Sequence, residues 1–162
     1  MATHWMRRSL LAAACAGAAL LAACGSSTTE SAITPDRFIA FGDAYSDVGQ
    51  TGARYTVNDG SVNNWTQQLA DRYGKPLTSV SAGGLSYAQG NARIAATPDA
   101  AGNAATPTLT AQIGNFLAGH SFGPDDIVLL SGGTSDLIAN MAAVQAGTLS
   151  EDAFVTGARR DG

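Results

Sequence analysis

The chain has 162 residues, enough for one domain, and its charge is mildly acidic, with nine Lys plus Arg against thirteen Asp plus Glu. Two of the nine, Arg7 and Arg8, lie near the N-terminus, so no basic cluster remains further on and nucleic-acid binding is excluded as an expectation. Nineteen glycines with only 14% charged residues suit an α/β protein with many tight turns, and neither a coiled coil nor a disordered acidic chain.

The first residues read as an export signal. Arg7 and Arg8 form a positive segment and Ser9 to Leu21 an apolar run, too short for a spanning helix, which needs roughly 20 residues. Leu21-Ala22-Ala23-Cys24 follows, then Gly25 and a Ser/Thr stretch. This resembles the lipobox of bacterial lipoproteins. The resemblance implies cleavage after Ala23, a lipid on Cys24, a flexible tether over 24–35 and a domain over 36–162. The alternative is a plain secretory signal cut near Ala23. Gly25 after the cysteine, in place of an aspartate, is similar to lipoproteins sent on to the outer membrane. With Cys15 in the leader and Cys24 lipidated, no thiol is left for a disulfide or a nucleophile.

Arg37 to Phe41 is a short apolar run ending at Gly42-Asp43, consistent with a buried strand. Arg54 to Val57 has strand-type residues and stops at the turn signal Asn58-Asp59-Gly60. A helix is expected from Asn63 or Asn64, with Trp65, Leu69 and Tyr73 at helical spacing and Gly74 beyond its end. Leu77 to Val80 is a second strand candidate, and Gly83 to Arg93 is glycine-rich. Thr106-Pro107 opens a helix whose apolar face is Leu109, Ile113, Phe116 and Leu117. Asp126 to Leu130 is the clearest buried strand, followed by Gly132-Gly133-Thr134-Ser135-Asp136 and a helix from about Leu137 to Ala146. A last helix starts near Ser150, with Glu151 and Asp152 in its first turn. Strands alternating with helices imply βαβ units and a parallel sheet, whose sites lie at the carboxyl ends of the strands. Gly42-Asp43-Ala44, the Gly83 to Arg93 region and Gly132 to Asp136 should therefore meet on one rim.

That rim resembles the GDSL, or SGNH, ester hydrolases. Phe41-Gly42-Asp43-Ala44-Tyr45-Ser46-Asp47-Val48-Gly49 is similar to their nucleophile block, Asn64-Trp65-Thr66-Gln67-Gln68-Leu69-Ala70 to the Trp-containing helix that follows, Tyr87 to Arg93 to the second block, and Gly133-Thr134-Ser135-Asp136 to the third. The resemblance covers roughly residues 36 to 160. It implies a three-layer, flavodoxin-like α/β fold with helices on both faces of a parallel sheet, incomplete on the C-terminal side, and hydrolysis of acyl or acetyl esters at the envelope. It also implies an oxyanion hole at Gly90 and at the third-block asparagine position, here Ser135. The nucleophile position is Ala44, whose methyl group cannot attack a carbonyl. No Asp-x-x-His block is found, and neither His4 nor His120 lies in such a motif.

Stand-ins are few. Ser46 reads as a cap or turn residue, His120 as a residue just past a helix end, and Asp43 as a general base or, more simply, the acceptor that fixes its turn. Asp136 reads as a helix-start residue, and Arg93 as an anion binder or a surface ion-pair partner. The backbone N–H groups of Ala44 and Gly90 are expected to cradle a carbonyl or carboxylate. No His, Cys and carboxylate cluster has metal-ligand spacing, and no cofactor is expected. The ligands implied are an acyl ester or acylated glycan, with the membrane engaged through Cys24. The alternative is a non-catalytic lipoprotein that binds acylated glycan, lipid or a partner protein. Residues 150 to 160 read as a helix that should lead to another strand, so a truncated hydrolase domain is also expected.

Overall fold

The computed structural model describes residues 33–56 and 60–161; the leader, Cys24 and most of the tether fall outside them, as do Val57, Asn58 and Asp59. Already at Pro35 the chain is buried, so the domain starts at the end of the expected tether. Among the described residues no helix is long and apolar enough to cross a membrane.

The architecture is mixed α/β around a two-stranded parallel sheet. Strand β1, Arg37–Gly42, pairs with β2, Asp126–Ser131, in register from Arg37 opposite Asp126 to Gly42 opposite Ser131. Arg37 and Asp126 close the amino ends with an ion pair of 2.8 Å. Along β1 successive side chains point to opposite faces. Phe38 and Ala40 pack with Ala70 and Leu77, whereas Ile39 and Phe41 pack with Phe116. Helix α1, Trp65–Arg72, thus covers one face of β1, and α2, Leu109–Gly119, the other. Helices α3, Thr134–Gln145, and α4, Glu151–Asp161, follow β2.

Asn64 caps α1 as its residue type predicts. Its side chain accepts from the Gln67 N–H while the Gln67 side chain accepts from the Asn64 N–H, a complete capping box. Gly74 follows at φ 66°, the left-handed position that ends such helices. Helix α2 begins two residues later than Pro107 suggests. Thr108 is its cap, accepting from the Ala111 N–H at 3.1 Å, because its hydroxyl binds a free helix-start N–H that Pro107 cannot use. Helix α3 starts earlier than expected, at Thr134, since Gly133 at φ 100° turns the chain directly from the strand end into the helix.

Among the described residues, two expected strands do not form. Arg54 to Thr56 is irregular, and Val57 lies outside the described residues. Leu77 to Val80 contributes only an isolated parallel bridge, Ser79 to Ser86, before a 3₁₀ turn at Val80–Ala82. The turn-forming Ser81-Ala82-Gly83-Gly84 sequence folds the chain back, with the Gly84 N–H donating to the Ser79 carbonyl. The segment beside β1 is instead Leu85 to Gln89. The Ala40 N–H donates to the Leu85 carbonyl, and the Tyr87 and Gln89 N–H groups donate to the carbonyls of Ala40 and Gly42.

Strand β2 is less buried than its apolar run predicts. Register puts Val128 and Leu130 on the face shared with Ile39 and Phe41, and they are 44% and 58% exposed. Helix α2 covers β1 on that face and leaves β2 open. Leu117, on the expected apolar face of α2, is also exposed.

Candidate functional site

The rim is built where β1 ends. Gly42 has φ 150°, and a Cβ there would lie 2.2 Å from the Ser131 carbonyl oxygen, so only glycine lets the two strand ends approach this closely. Gln112, buried in α2, clamps the same residue. Its Oε1 accepts from the Gly42 N–H at 2.9 Å and its Nε2 donates to the Gly42 carbonyl at 3.0 Å. The sequence reading assigns Gln112 no role. Its signal is a polar side chain set among Leu109, Ile113 and Phe116 on the packed stripe of the helix.

After Gly42 the chain turns, with the Ser46 N–H donating to the Asp43 carbonyl at 3.1 Å. Asp43 is buried. One of its oxygens accepts a long 3.4 Å bond from the Tyr45 N–H within the turn, and the other has no hydrogen-bond partner. Ala44 is half-buried at the position that follows. Ser46 is fully buried and its hydroxyl shares a 2.7 Å bond with the Ser131 hydroxyl. Its hydroxyl is thus buried against the end of β2 and committed to Ser131, so Ser46 does not replace a nucleophile at Ala44.

Asp47 is the organising residue that the sequence reading leaves unassigned. It is fully buried. Its Oδ1 accepts from the N–H groups of Gly49 and Gln50 at 2.8 and 3.0 Å, and its Oδ2 accepts from the Gly90 N–H at 2.7 Å. The resemblance implies an oxyanion donor at Gly90, and here that N–H is bonded to the Asp47 carboxylate. A second feature covers the same glycine. A Cβ on Gly90 would lie 2.0 Å from the Tyr55 ring, whose hydroxyl accepts from the Asn91 side chain at 3.1 Å. Asn91 itself takes φ 64°, a conformation asparagine tolerates.

The third segment joins the same rim. Ser135, in the first turn of α3, is 3% exposed. Asp136 reaches back to the second segment, its two oxygens accepting from Arg93 Nε at 3.0 Å and the Ile94 N–H at 2.8 Å. Arg93 is therefore an ion-pair partner, half-buried, and Asp136 a tie between segments. All three polar segments meet as expected: Gln89 on Gly42, Gly90 on Asp47, Ser46 on Ser131 and Arg93 on Asp136.

His120 lies elsewhere. It stacks on Phe116 at 5.2 Å, and the Arg37 guanidinium sits over the same Phe116 ring and donates to the Ser121 carbonyl. Arg37 begins β1 and Gly42 ends it, so His120 is at the opposite end of a strand roughly 16 Å long. It cannot serve as a base beside Ala44. His4 and Cys24 lie outside the described residues.

Electrostatic shifts fall on Asp126, Asp99 and Tyr87. The bond from Arg37 holds the Asp126 carboxyl below its usual range. Burial alone pushes Asp99 up, but bonds from the Thr106 hydroxyl and the Asn103 and Ala101 N–H groups outweigh it and hold Asp99 low. Burial raises the Tyr87 hydroxyl. Among the described residues, no group of three or more His, Cys, Asp or Glu side chains is placed to hold a metal ion. No family model matches this chain, and no curated protein or solved structure matches it either.

Proposed function

We propose that the chain is an exported, lipid-anchored member of the GDSL/SGNH ester hydrolases, built on their three-layer parallel-sheet plan, whose rim binds an acylated ligand without hydrolysing it. The observation that carries the reading is the meeting of the motif segments, in chain order, at the carboxyl end of β1 and β2. That is the part of a parallel sheet where ligands bind. The Leu-Ala-Ala-Cys sequence supports export and anchoring at Cys24.

Loss of turnover rests on side chains at that rim. Ala44 has no atom to attack or to lose a proton. The Gly90 N–H is held by Asp47, and removing one oxyanion donor typically costs about a hundred- to a thousand-fold in rate. Ser135, where the family has asparagine, carries a shorter side chain that is buried.

The test is hydrolysis of p-nitrophenyl acetate and butyrate by the parent chain and by Ala44→Ser. The parent is expected to match solvent alone. Turnover by the parent equal to that of Ala44→Ser would refute the assignment of Ala44 as the disabled nucleophile position. Retention of the full chain on acylated envelope glycans checks binding, and a folded sample that is not retained counts against it.

A further inference from the structure

Beside the rim lies an open cavity of about 370 Å³, lined by Gln50, Tyr87, Gln89, Gln112 and Asn115 together with Val80 and Pro107. Its volume is within the range of small-molecule sites. Gln89 and Gln112 place it at the end of β1, since both bond to Gly42. None of the seven residues is charged, in contrast to the Arg93 and Asp136 side of the rim.

The four carboxamides divide into two kinds. Gln112 is locked onto Gly42 and the Pro107 carbonyl, and Gln50 is held between the Ser86 carbonyl and the Ser81 N–H. These two fix the wall. Gln89 is half-buried and Asn115 exposed, and neither side chain makes a hydrogen bond to another described residue. Each offers both a donor and an acceptor. Val80 and Pro107 supply apolar surface, and the Tyr87 ring is anchored against Phe41 and Phe116 at 5.6 and 5.9 Å.

We infer that this cavity binds a neutral sugar ring. A hydroxyl both donates and accepts, as a carboxamide does, so vicinal hydroxyls match the free amides of Gln89 and Asn115. The ring's carbon-bound hydrogens match the apolar wall. A phosphate or carboxylate ligand is best met by a cation or a cluster of free backbone N–H groups, and a metal ion or amine by a carboxylate; the residues lining the cavity carry no charge. The inference rests on the reading of the rim as a ligand-binding surface and names the chemistry of the ligand held there, the glycan portion of an acylated glycan.

The test is saturation-transfer NMR on the full chain in detergent with maltotetraose, cellotetraose and chitotetraose, and with glucuronic acid and inorganic phosphate as charged comparisons. Transfer to at least one neutral oligosaccharide and to neither charged probe is expected. Replacing both free amides, Gln89→Ala with Asn115→Ala, is expected to weaken binding about tenfold or more, from two lost hydrogen bonds. Neither side chain holds the fold together, so the double variant should keep the parent's circular dichroism. Gln89→Leu, close in size and without a hydrogen-bonding group, should weaken binding as well and serves if the double variant does not fold. No transfer to any neutral oligosaccharide by folded protein, or equal binding by the variants, overturns the inference. Ester hydrolysis by Ala44→Ser and retention on acylated glycans are read separately, so failure of the sugar site is distinguishable from failure of the rim reading.

Discussion

Asp47 gives the sharpest test of how the rim is held. Replacement by asparagine keeps the shape but substitutes an amide for one carboxylate oxygen. Oδ1 now serves the Gly49 and Gln50 N–H groups and Oδ2 serves Gly90. Whichever way the amide is turned, its NH₂ group faces at least one backbone donor. A buried donor left unmet costs about 1–3 kcal/mol, so Asp47→Asn should lose about 2 kcal/mol. Asp47→Ala strands all three donors. The Gly90 bond is buried and the other two are part-buried, which places the loss at about 3–5 kcal/mol. Domain stability is commonly about 5–15 kcal/mol, so the alanine variant removes a large share of it. With a urea slope of about 1–3 kcal/mol per molar, Asp47→Asn should lower the urea midpoint by about 1 M at unchanged slope. An asparagine variant within about 0.5 kcal/mol of the parent, the range of ordinary surface changes, would refute the claim that this carboxylate holds Gly90.

Three further outcomes can be measured. Gly42→Ala and Gly90→Ala should differ sharply. The first drives a Cβ into the Ser131 backbone at a positive φ and should cost about 3 kcal/mol or more, whereas the second first meets the half-exposed Tyr55 ring, which can swing aside for about 1 kcal/mol. Unfolding midpoints check the costs, and loss of the Tyr55 contact is read from its ring signals by NMR; equal costs would contradict the strand-end geometry. Acid should expose Asp99 and Asp126. Both carboxyls are held low in the folded state, so their contribution is present above about pH 4, the ordinary carboxylate value, and is lost as pH falls through the depressed folded values. Denaturant melts from pH 5 to 2 on Asp99→Asn and Asp126→Asn should show a shallower acid loss than the parent. Finally, Cys24→Ala should abolish incorporation of labelled fatty acid and release the protein from the membrane fraction; labelling that persists would sink the anchor assignment.

Legibility in the sequence follows the range of the interactions. Asn64 and Gln67 announce the start of α1 because a capping box closes within three residues. The run from Phe38 to Phe41 announces a strand buried on both faces because each side chain is apolar. Chain order and glycine placement were enough to bring Gly42, Gly90 and Gly133 toward one rim. Where strand formation depended on a distant partner, the sequence misled: Leu77 to Val80 has the composition of a strand, yet Leu85 to Gln89 takes the place beside β1.

The amino-acid sequence alone determines that Ala44 carries no nucleophile and that Cys24 stands in a lipobox-like context, since both are matters of residue identity. Tertiary structure decides what the neighbouring polar groups can do. Asp47 and Gly90 are 43 residues apart, as are Arg93 and Asp136, and Ser46 and Ser131 are 85 apart. Hydrogen bonds across such separations leave no local pattern, because they depend on where strand ends and turns arrive in space. The same cause separates His120 from the rim and opens the Gln89 and Asn115 cavity beside it.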